Sequence, residues 1–207
     1  PPAVEGKDVL ATARTGTGKT AAFVLPILQT HPAGVIICPT RELALQVVNE
    51  IERLSGLDNI ATALIGGASM KKQIQQLTEW PDAILVATPG RICDHMERGN
   101  VDLNQYDVLV LDEADEMLSM GFKSELDHIL KFLTKVENKW LFSASIPHGI
   151  KEIVSQHMSA DAHRIEVNLR NVVNKNITHQ YVICDEKQKL FVLMQFLKSE
   201  HKNLSLI

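Results

Sequence analysis

Short apolar runs alternate with amphipathic segments along the first 168 residues. The runs are KDVLATA, GVIIC, NIATALI, DAILVAT, YDVLVLD, KWLFSAS and HRIEV. Several are continuously apolar, which is typical of parallel strands that are covered on both faces. Other apolar residues recur at helical spacing between the runs. They are Leu43, Val47, Ile51 and Leu54, and then Leu126, Ile129, Leu130 and Leu133. This alternation predicts an α/β fold with a mostly parallel sheet and helices on both faces.

The pattern changes after Val167, where NLRNVVNKN is polar and rich in asparagine. THQYVIC then predicts a strand, and LSLI predicts the start of another. Between them, KQKLFVLMQFLK predicts a helix with Leu190, Met194 and Leu197 directed inward. The predicted organisation is one domain over residues 1–168, a linker over 169–176, and an incomplete second domain over 177–207.

Conspicuous polar or glycine-containing clusters follow most of the predicted strands: ARTGTGKT, PTREL, GG, TPGR, DEAD and SAS. In doubly wound sheets, ligands bind in the crevice beyond the carboxyl ends of the strands. The placement therefore indicates one continuous functional edge.

Composition and net charge limit the class of protein and the kinds of partner. The 207 residues are 45% hydrophobic and 22% charged, as in an ordinary globular protein. A net charge of −4 excludes a global basic field, so a nucleic-acid partner would need a local patch. The cysteines form no CxxC pair and no apolar run is long enough to span a membrane. We expect a monomeric, cytoplasmic protein with reduced thiols, no zinc site and no membrane contact.

The segment ARTGTGKT lies between a predicted strand and a predicted helix, and it approximates the phosphate-binding pattern GxxxxGK[ST]. Its residues are Ala13, Arg14, Thr15, Gly16, Thr17, Gly18, Lys19 and Thr20. Ala13 replaces the first glycine, but Gly16 and Gly18 still allow the backbone amides to turn toward phosphate oxygens. Lys19 can reach the terminal phosphates and the Thr20 hydroxyl can bind Mg²⁺. The alternative is a glycine-rich turn without a ligand.

The acidic cluster in VLVLDEADEML has two interpretations. Carboxylates at the start of a helix are favoured by the helix dipole and by unpaired amides. A P-loop enzyme, however, needs a carboxylate at the end of a neighbouring strand to fix Mg²⁺, and Asp112 occupies that position. Glu113 is then placed to orient or deprotonate a water. Together with the P-loop, the cluster favours binding and hydrolysis of a nucleoside triphosphate.

Thr40 and Thr88 are expected to cap helices, and Pro89 suits a first helical position. Such helix starts offer amides to phosphates, while Arg41 and Arg91 add charge without reading bases. These contacts predict sequence-independent, salt-sensitive binding of a few nucleotides. The alternative is capping alone, with surface arginines.

In order and spacing, these motifs resemble the N-terminal RecA-like domain of a DEAD-box ATP-dependent RNA helicase. The matching segments are ARTGTGKT (13–20), PTRELALQ (39–46), Gly66-Gly67, TPGR (88–91), DEAD (112–115) and SAS (143–145). The resemblance covers about residues 6 to 168, and 177–207 resemble the start of the second RecA-like domain. It implies a RecA-like P-loop NTPase fold that uses ATP and Mg²⁺ and unwinds short RNA duplexes.

The resemblance also implies roles for individual residues. Lys19 and Thr20 would meet phosphate and Mg²⁺, Asp112 would hold Mg²⁺, and Glu113 would activate water. Asp115 would hydrogen-bond the region of Ser143 and Ser145 and link nucleotide state to RNA. The implied contacts with the RNA backbone are Pro39, Thr40, Arg41, Gly66, Gly67, Thr88, Pro89, Gly90 and Arg91.

Three departures from the family pattern affect, in turn, the expected coupling, the expected base selectivity and the expected activity of this chain. Ser145 replaces the usual threonine and loses the methyl group that restricts χ1. The residues before Ala13 are too few for the family's adenine-reading segment. The arginine-rich motif of the second domain, which reaches the γ-phosphate, is not in the sequence, and such arginines greatly accelerate phosphoryl transfer. Two alternatives stay open, a related NTPase that acts on DNA and a non-catalytic binding module.

Overall fold

The seven strands predicted over residues 1–168 are all present in the computed structural model, which describes residues 1–14, 16–30, 33–133, 135–167 and 181–199. They are β1 Val9–Thr12, β2 Gly34–Ile37, β3 Ala61–Leu64, β4 Ile84–Ala87, β5 Val108–Leu111, β6 Asn138–Ser143 and β7 His163–Glu166. Each is shorter than its predicted run, since residues at the ends of the runs belong to the flanking loops, and β6 also begins one residue before its run, at Asn138.

Helices fill the segments between the strands, and another follows β7 along the chain. They are α1 Lys19–Thr30, α2 Arg41–Ser55, α3 Met70–Glu79, α4 Pro89–Glu97, α5 Ala114–Ser119, α6 Lys123–Phe132, α7 His148–His157 and α8 Lys189–Ser199. The α2 helix shows how local sequence sets such bounds. The Thr40 side chain accepts a hydrogen bond from the Leu43 amide at its start, and Gly56 ends it with a φ of 70°.

The strands form one seven-stranded parallel sheet in the order β3-β4-β2-β5-β6-β1-β7. This confirms the predicted α/β fold with a parallel sheet. The order also corrects one expectation, because β5 is not the neighbour of β1. The β6 strand lies between them, so the acidic cluster and the P-loop extend from alternate strands.

Alternating residues of the strands point to two separate apolar cores, one on each face of the sheet. On one face, Val9 and Val110 belong to the same core as Phe23 of α1 and Val47 of α2. The opposite core contains Leu10 and Leu109, with residues of α4, α5, α6 and α7. The continuously apolar strands are therefore buried on both sides, which is the physical reason for their composition.

The chain divides into two units, Pro1–Leu169 and Arg170–Ile207. In the second unit the predicted helix is present as α8, but Tyr181–Cys184 of the predicted strand have no regular structure. Leu190 and Met194 are 69% and 51% exposed, so their predicted inward orientation is wrong. The described residues of this unit contain no second layer against which α8 could pack. The predicted linker and LSLI lie outside the described residues.

Candidate functional site

The sheet order sorts the polar clusters into two groups along the carboxyl edge. GG, TPGR and PTREL follow β3, β4 and β2, which are consecutive in the sheet. DEAD, SAS and ARTGTGKT follow β5, β6 and β1, which are also consecutive. The two groups meet where β2 pairs with β5. One continuous edge therefore has two halves, each with its own cavity.

The P-loop half contains the turn that the glycines were expected to allow. Gly16 and Gly18 have φ values of 81° and 85°, which side chains other than glycine rarely adopt. A Cβ at either glycine would meet no atom within 4 Å. Glycine is therefore required at these positions by the positive φ and not by a lack of space for a side chain. The Thr17 hydroxyl donates to the Arg14 carbonyl at 2.7 Å and stabilises the turn. Thr15 lies outside the described residues.

Lys19, the first residue of α1, makes an ion pair with the acidic cluster. Its Nζ lies 2.7 Å from Glu113 Oε1, and the two side chains are 7% and 17% exposed. Asp112 is almost fully buried beside this pair. The pKa of Asp112 is raised to about 6, because burial, together with the negative charge of Glu113, outweighs the lowering effect of Lys19 and of the Glu113 amide. The P-loop and the acidic cluster thus share one charged cleft.

This charged cleft has a volume of about 360 Å³. Its lining residues are Gly16, Gly18, Lys19, Thr20, Ala21, Leu43, Gln46, Val47, Glu50, Asp112 and Glu113. The Thr20 hydroxyl and Asp112 supply the hard oxygen donors that Mg²⁺ prefers, and Lys19 supplies a cation for phosphate. The donor set therefore fits a magnesium nucleotide. Leu43, Gln46, Val47 and Glu50 were not predicted here, and Leu43 and Val47 were assigned to the core because of their helical period.

The backbone at Glu113 is strained. It has a φ of 52° and a ψ of 49°, the left-handed region that side chains other than glycine rarely occupy. Glu113 precedes the first residue of α5, but its side chain makes no capping hydrogen bond. The carboxylate pairs with Lys19 instead. Helix capping therefore does not account for Glu113, and this backbone conformation accompanies the contact with the P-loop.

Asp115 is hydrogen-bonded to the loop that follows β6. Its carboxylate accepts hydrogen bonds from the Ser145 amide at 2.9 Å, the Ser145 hydroxyl at 2.7 Å and the Ala144 amide at 3.3 Å. The Asp115 amide in turn donates to Ser143 Oγ at 3.2 Å. Burial raises the pKa of Asp115, but hydrogen bonds from Ser145, Ser143 and the amides outweigh burial and lower it. The structure therefore joins DEAD to SAS.

The other half of the edge forms a groove of about 520 Å³. Its lining residues are Pro39, Thr40, Arg41, Glu42, Gly66, Thr88, Gly90, Arg91, Met120 and Phe122. The guanidinium of Arg41 lies against Gly66 and Gly67, and a Cβ at Gly67 would overlap it. This group contains most of the predicted backbone contacts, together with Glu42, Met120 and Phe122, which the sequence did not indicate.

Helix starts at this groove follow the prediction in part. Thr40 caps α2 through its hydroxyl, which accepts from the Leu43 amide at 3.2 Å. Thr88 occupies the capping position of α4 with Pro89 at the first turn, but its side chain makes no capping hydrogen bond. The hydroxyl of Thr88 is therefore not used for the predicted cap, and only Thr40 caps its helix as expected.

The described ranges contain no cluster of three or more His, Cys, Asp or Glu residues that could hold a metal ion. A site built from Thr20 and Asp112 is of a different kind, since it uses one carboxylate. Cys38, Cys93 and Cys184 are free cysteines. Of the helices in the described part of the chain, none is long and apolar enough to cross a membrane.

A parallel sheet with a P-loop after β1 and a carboxylate pair after β5 is the architecture of a P-loop nucleoside triphosphatase. The sequence model of the DEAD/DEAH box helicase family matches residues 1–153. The chain belongs to this family.

Curated relatives agree with this assignment. The chain is 40% identical to the DEAD-box ATP-dependent RNA helicase CshA of Bacillus cereus, covering 100% of this chain and 40% of the relative. It is 37% identical to the ATP-dependent RNA helicase DbpA of Bacillus subtilis, covering 100% of this chain and 44% of that protein. The chain thus spans less than half the length of these relatives.

Two solved structures share the fold. One is a hypothetical ATP-dependent RNA helicase from Sulfolobus tokodaii, with a TM-score of 0.75 and 36% identity, covering 81% of this chain and 50% of that chain. The other is a DEAD box protein from Methanococcus jannaschii, with a TM-score of 0.75 and 36% identity, covering 95% and 54%. The RecA-like domains of such helicases therefore have the architecture observed here.

Proposed function

We propose that this chain is the ATP-binding half of a DEAD-box RNA helicase, in which hydrolysis of magnesium ATP is coupled to binding of the RNA backbone and local unwinding of duplexes. The proposal rests on the carboxyl edge of the sheet. There the charged cleft of Lys19 and Asp112, called the nucleotide cleft below, lies beside the groove whose basic rim is formed by Arg41 and Arg91. Residues 1–168 would form the ATP-binding domain, and 177–207 would belong to a second domain.

In the nucleotide cleft, the amides of the P-loop from Ala13 to Thr20 would hold the phosphates. Thr20 and Asp112 would bind Mg²⁺, which neutralises phosphate charge during transfer. Lys19 would exchange Glu113 for a phosphate oxygen, because a phosphate carries more charge than one carboxylate. Glu113 is then released to accept a proton from water. The ion pair at 2.7 Å supports this exchange, since it holds both side chains in the same cleft.

In the groove, Arg41 and Arg91 would bind phosphates, and Gly66, Gly67 and Gly90 would let the RNA backbone approach closely. Helix starts at Thr40 and Pro89 add backbone amides. None of these groups is placed to read bases by type, so binding would be independent of sequence and weakened by salt. A local basic rim also explains how a chain with a net charge of −4 binds a polyanion.

Asp115 would connect the two activities. Its carboxylate holds Ser145 and its amide contacts Ser143, so a movement of the acidic cluster around the nucleotide would be passed to the end of β6. Serine at position 145 retains the hydroxyl that makes this contact. Serine in place of the family's usual threonine would therefore be a small change.

The decisive experiment measures magnesium-dependent ATP hydrolysis with no nucleic acid, with single-stranded RNA and with single-stranded DNA. It is made on this chain and on a chain extended to the length of the relatives. Stimulation by RNA alone, and only in the longer chain, is the expected result. Equal stimulation by DNA would favour a DNA-acting NTPase, and nucleotide binding without turnover in either chain would favour a non-catalytic module.

A further inference from the structure

Gln73 of α3 is a buried polar residue that lies behind the groove and does not line it. Only 2% of it is exposed, and every polar atom of its side chain has a protein partner. Its Nε2 donates to the Ile65 carbonyl at 3.0 Å, one residue before Gly66. Its Oε1 accepts from Arg91 Nη1 at 2.9 Å. One amide therefore connects the GG loop to the TPGR helix.

The orientation of this amide follows from its partners. A carbonyl oxygen can only accept, so the NH₂ group of Gln73 must face Ile65 and the oxygen must face Arg91, which can only donate. The same oxygen lies 2.9 Å from His95 Nε2, which must then carry a proton. His95 Nδ1 is left to accept from Asn100 Nδ2 at 3.4 Å. All of these groups are consistent with a neutral His95.

His95 supports this arrangement from the core. It is fully buried, and burial lowers its pKa, with the positive charge of Arg91 acting in the same direction and Asp94 in the opposite one. A neutral imidazole with a fixed tautomer is a rigid donor to Gln73. The network from Asn100 to Arg91 is thus satisfied throughout its length, and satisfied buried networks specify one geometry.

This network restricts the side chain of Arg91. Its Nη1 is held by Gln73 and by the Ala68 carbonyl at 3.1 Å, which leaves its other N–H groups without a protein partner among the described residues. A free arginine side chain loses much rotamer freedom when it binds a phosphate. Arg91 has already lost that freedom in the protein alone, so the phosphate contact is preorganised.

We propose that Gln73 is a positioning residue for RNA binding. It holds Arg91 and the Gly66-Gly67 loop in fixed positions relative to each other and does not itself touch the RNA. The proposal rests on the proposed function, because it takes Arg91 to be a phosphate contact. A positioning role for Gln73 differs from a purely structural role in its effect on RNA affinity. A structural glutamine would affect stability alone, whereas a positioning glutamine acts on RNA affinity through Arg91.

The test is a double-mutant cycle between Gln73→Met and Arg91→Ala, with Gln75→Met as the control on the exposed side of the same helix. Binding of a fluorescent oligouridylate is measured with a non-hydrolysable ATP analogue and Mg²⁺ over a series of salt concentrations. Gln73→Met is expected to weaken RNA binding by about 3- to 10-fold, the cost of ordering one long side chain. It should have little effect when Arg91 is already alanine, and Gln75→Met should bind normally.

A second variant gives a readout that misfolding of Gln73→Met could not imitate. Gln73→Glu retains the size of the side chain, but its carboxylate would neutralise Arg91 and could not donate to Ile65. The slope of log affinity against log salt should then fall by about 1, as for loss of one phosphate contact. Circular dichroism checks folding, and binding of the ATP analogue checks the distant cleft.

The outcomes separate the two proposals. Additive effects of Gln73→Met and Arg91→Ala would overturn the positioning role and leave the RNA groove intact. The same conclusion follows if Gln73→Met and Gln73→Glu both bind RNA like the parent chain. If Arg91→Ala itself has no effect, the assignment of the groove to RNA fails, and the role of Gln73 fails with it.

Discussion

Lys19 and Glu113 form an ion pair of 2.7 Å although they are 94 positions apart in the sequence. Both side chains are largely buried, so neither charge is fully compensated by solvent. Removing one member would leave the other as an unpaired charge, which is more costly than losing a surface pair. The pair therefore holds both side chains in the cleft, and in the proposed function a phosphate oxygen would replace Glu113 as the partner of Lys19.

The first prediction concerns Lys19. Lys19→Ala is expected to abolish detectable binding of magnesium nucleotide, because the P-loop loses its only side-chain cation in the cleft among the described residues. Binding is measured by fluorescence of a labelled ATP analogue. Lys71→Ala removes an exposed lysine of α3 and serves as the control, with normal binding expected. Unchanged nucleotide affinity in Lys19→Ala would remove the basis of the P-loop assignment.

Glu113 is expected to act in the chemical step and not in binding. Glu113→Gln keeps a hydrogen-bond acceptor for Lys19 but cannot take a proton from water. ATP binding should persist, while hydrolysis by the chain extended to the length of the relatives should fall by about 10²- to 10⁴-fold. Single-turnover hydrolysis measures the step directly. A rate near that of the parent protein would return Glu113 to a structural role.

Asp115 should make stability depend on pH. Asp115→Asn is expected to destabilise the fold by about 1 kcal/mol at neutral pH, since Ser145 and two amides lose an ionised acceptor. The pKa of Asp115 is lowered in the folded state. Its contribution is therefore present above the unfolded pKa of about 3.9 and is lost as the pH falls through the folded value.

Thermal unfolding of the parent and Asp115→Asn over an acidic pH series checks this sign. The two curves are expected to converge at the acidic end, where both side chains are uncharged. Glu116→Gln, an exposed neighbour in the same helix, is the matched control and should show no such convergence. A constant difference at every pH would show that the charge of Asp115 does not stabilise the fold.

Gly67 and Gly99 offer a matched pair for the groove. Both have a positive φ, 79° and 68°, so alanine strains either backbone, by about 1 kcal/mol. Only at Gly67 would the new Cβ overlap Arg41. Gly67→Ala is thus expected to weaken RNA binding several-fold as Arg41 is displaced, whereas Gly99→Ala should lower the melting temperature alone. Equal RNA affinities for the two variants would contradict the proposed contact of Arg41.

Local chemistry explains why so much of the fold could be predicted. Val108–Leu111 is continuously apolar because it is covered on both faces, and that composition is visible without a structure. Thr40 at a helix start and the glycines of the P-loop are equally local, since a cap or a positive φ depends on adjacent residues. The same reasoning failed for Leu190 and Met194, because burial requires a partner that no helical period can supply.

Distant relationships were decided by the tertiary structure. The motifs could be read from the sequence, but the sheet order alone shows that GG, TPGR and PTREL line one groove while DEAD, SAS and ARTGTGKT share the other half. Gln73 and His95 carry no local pattern that indicates a role. Their role depends on Ile65 and Arg91, which come within hydrogen-bond distance of Gln73 only when the chain folds. The sequence thus determined the elements and the chemistry at their ends, and packing determined which ends act together.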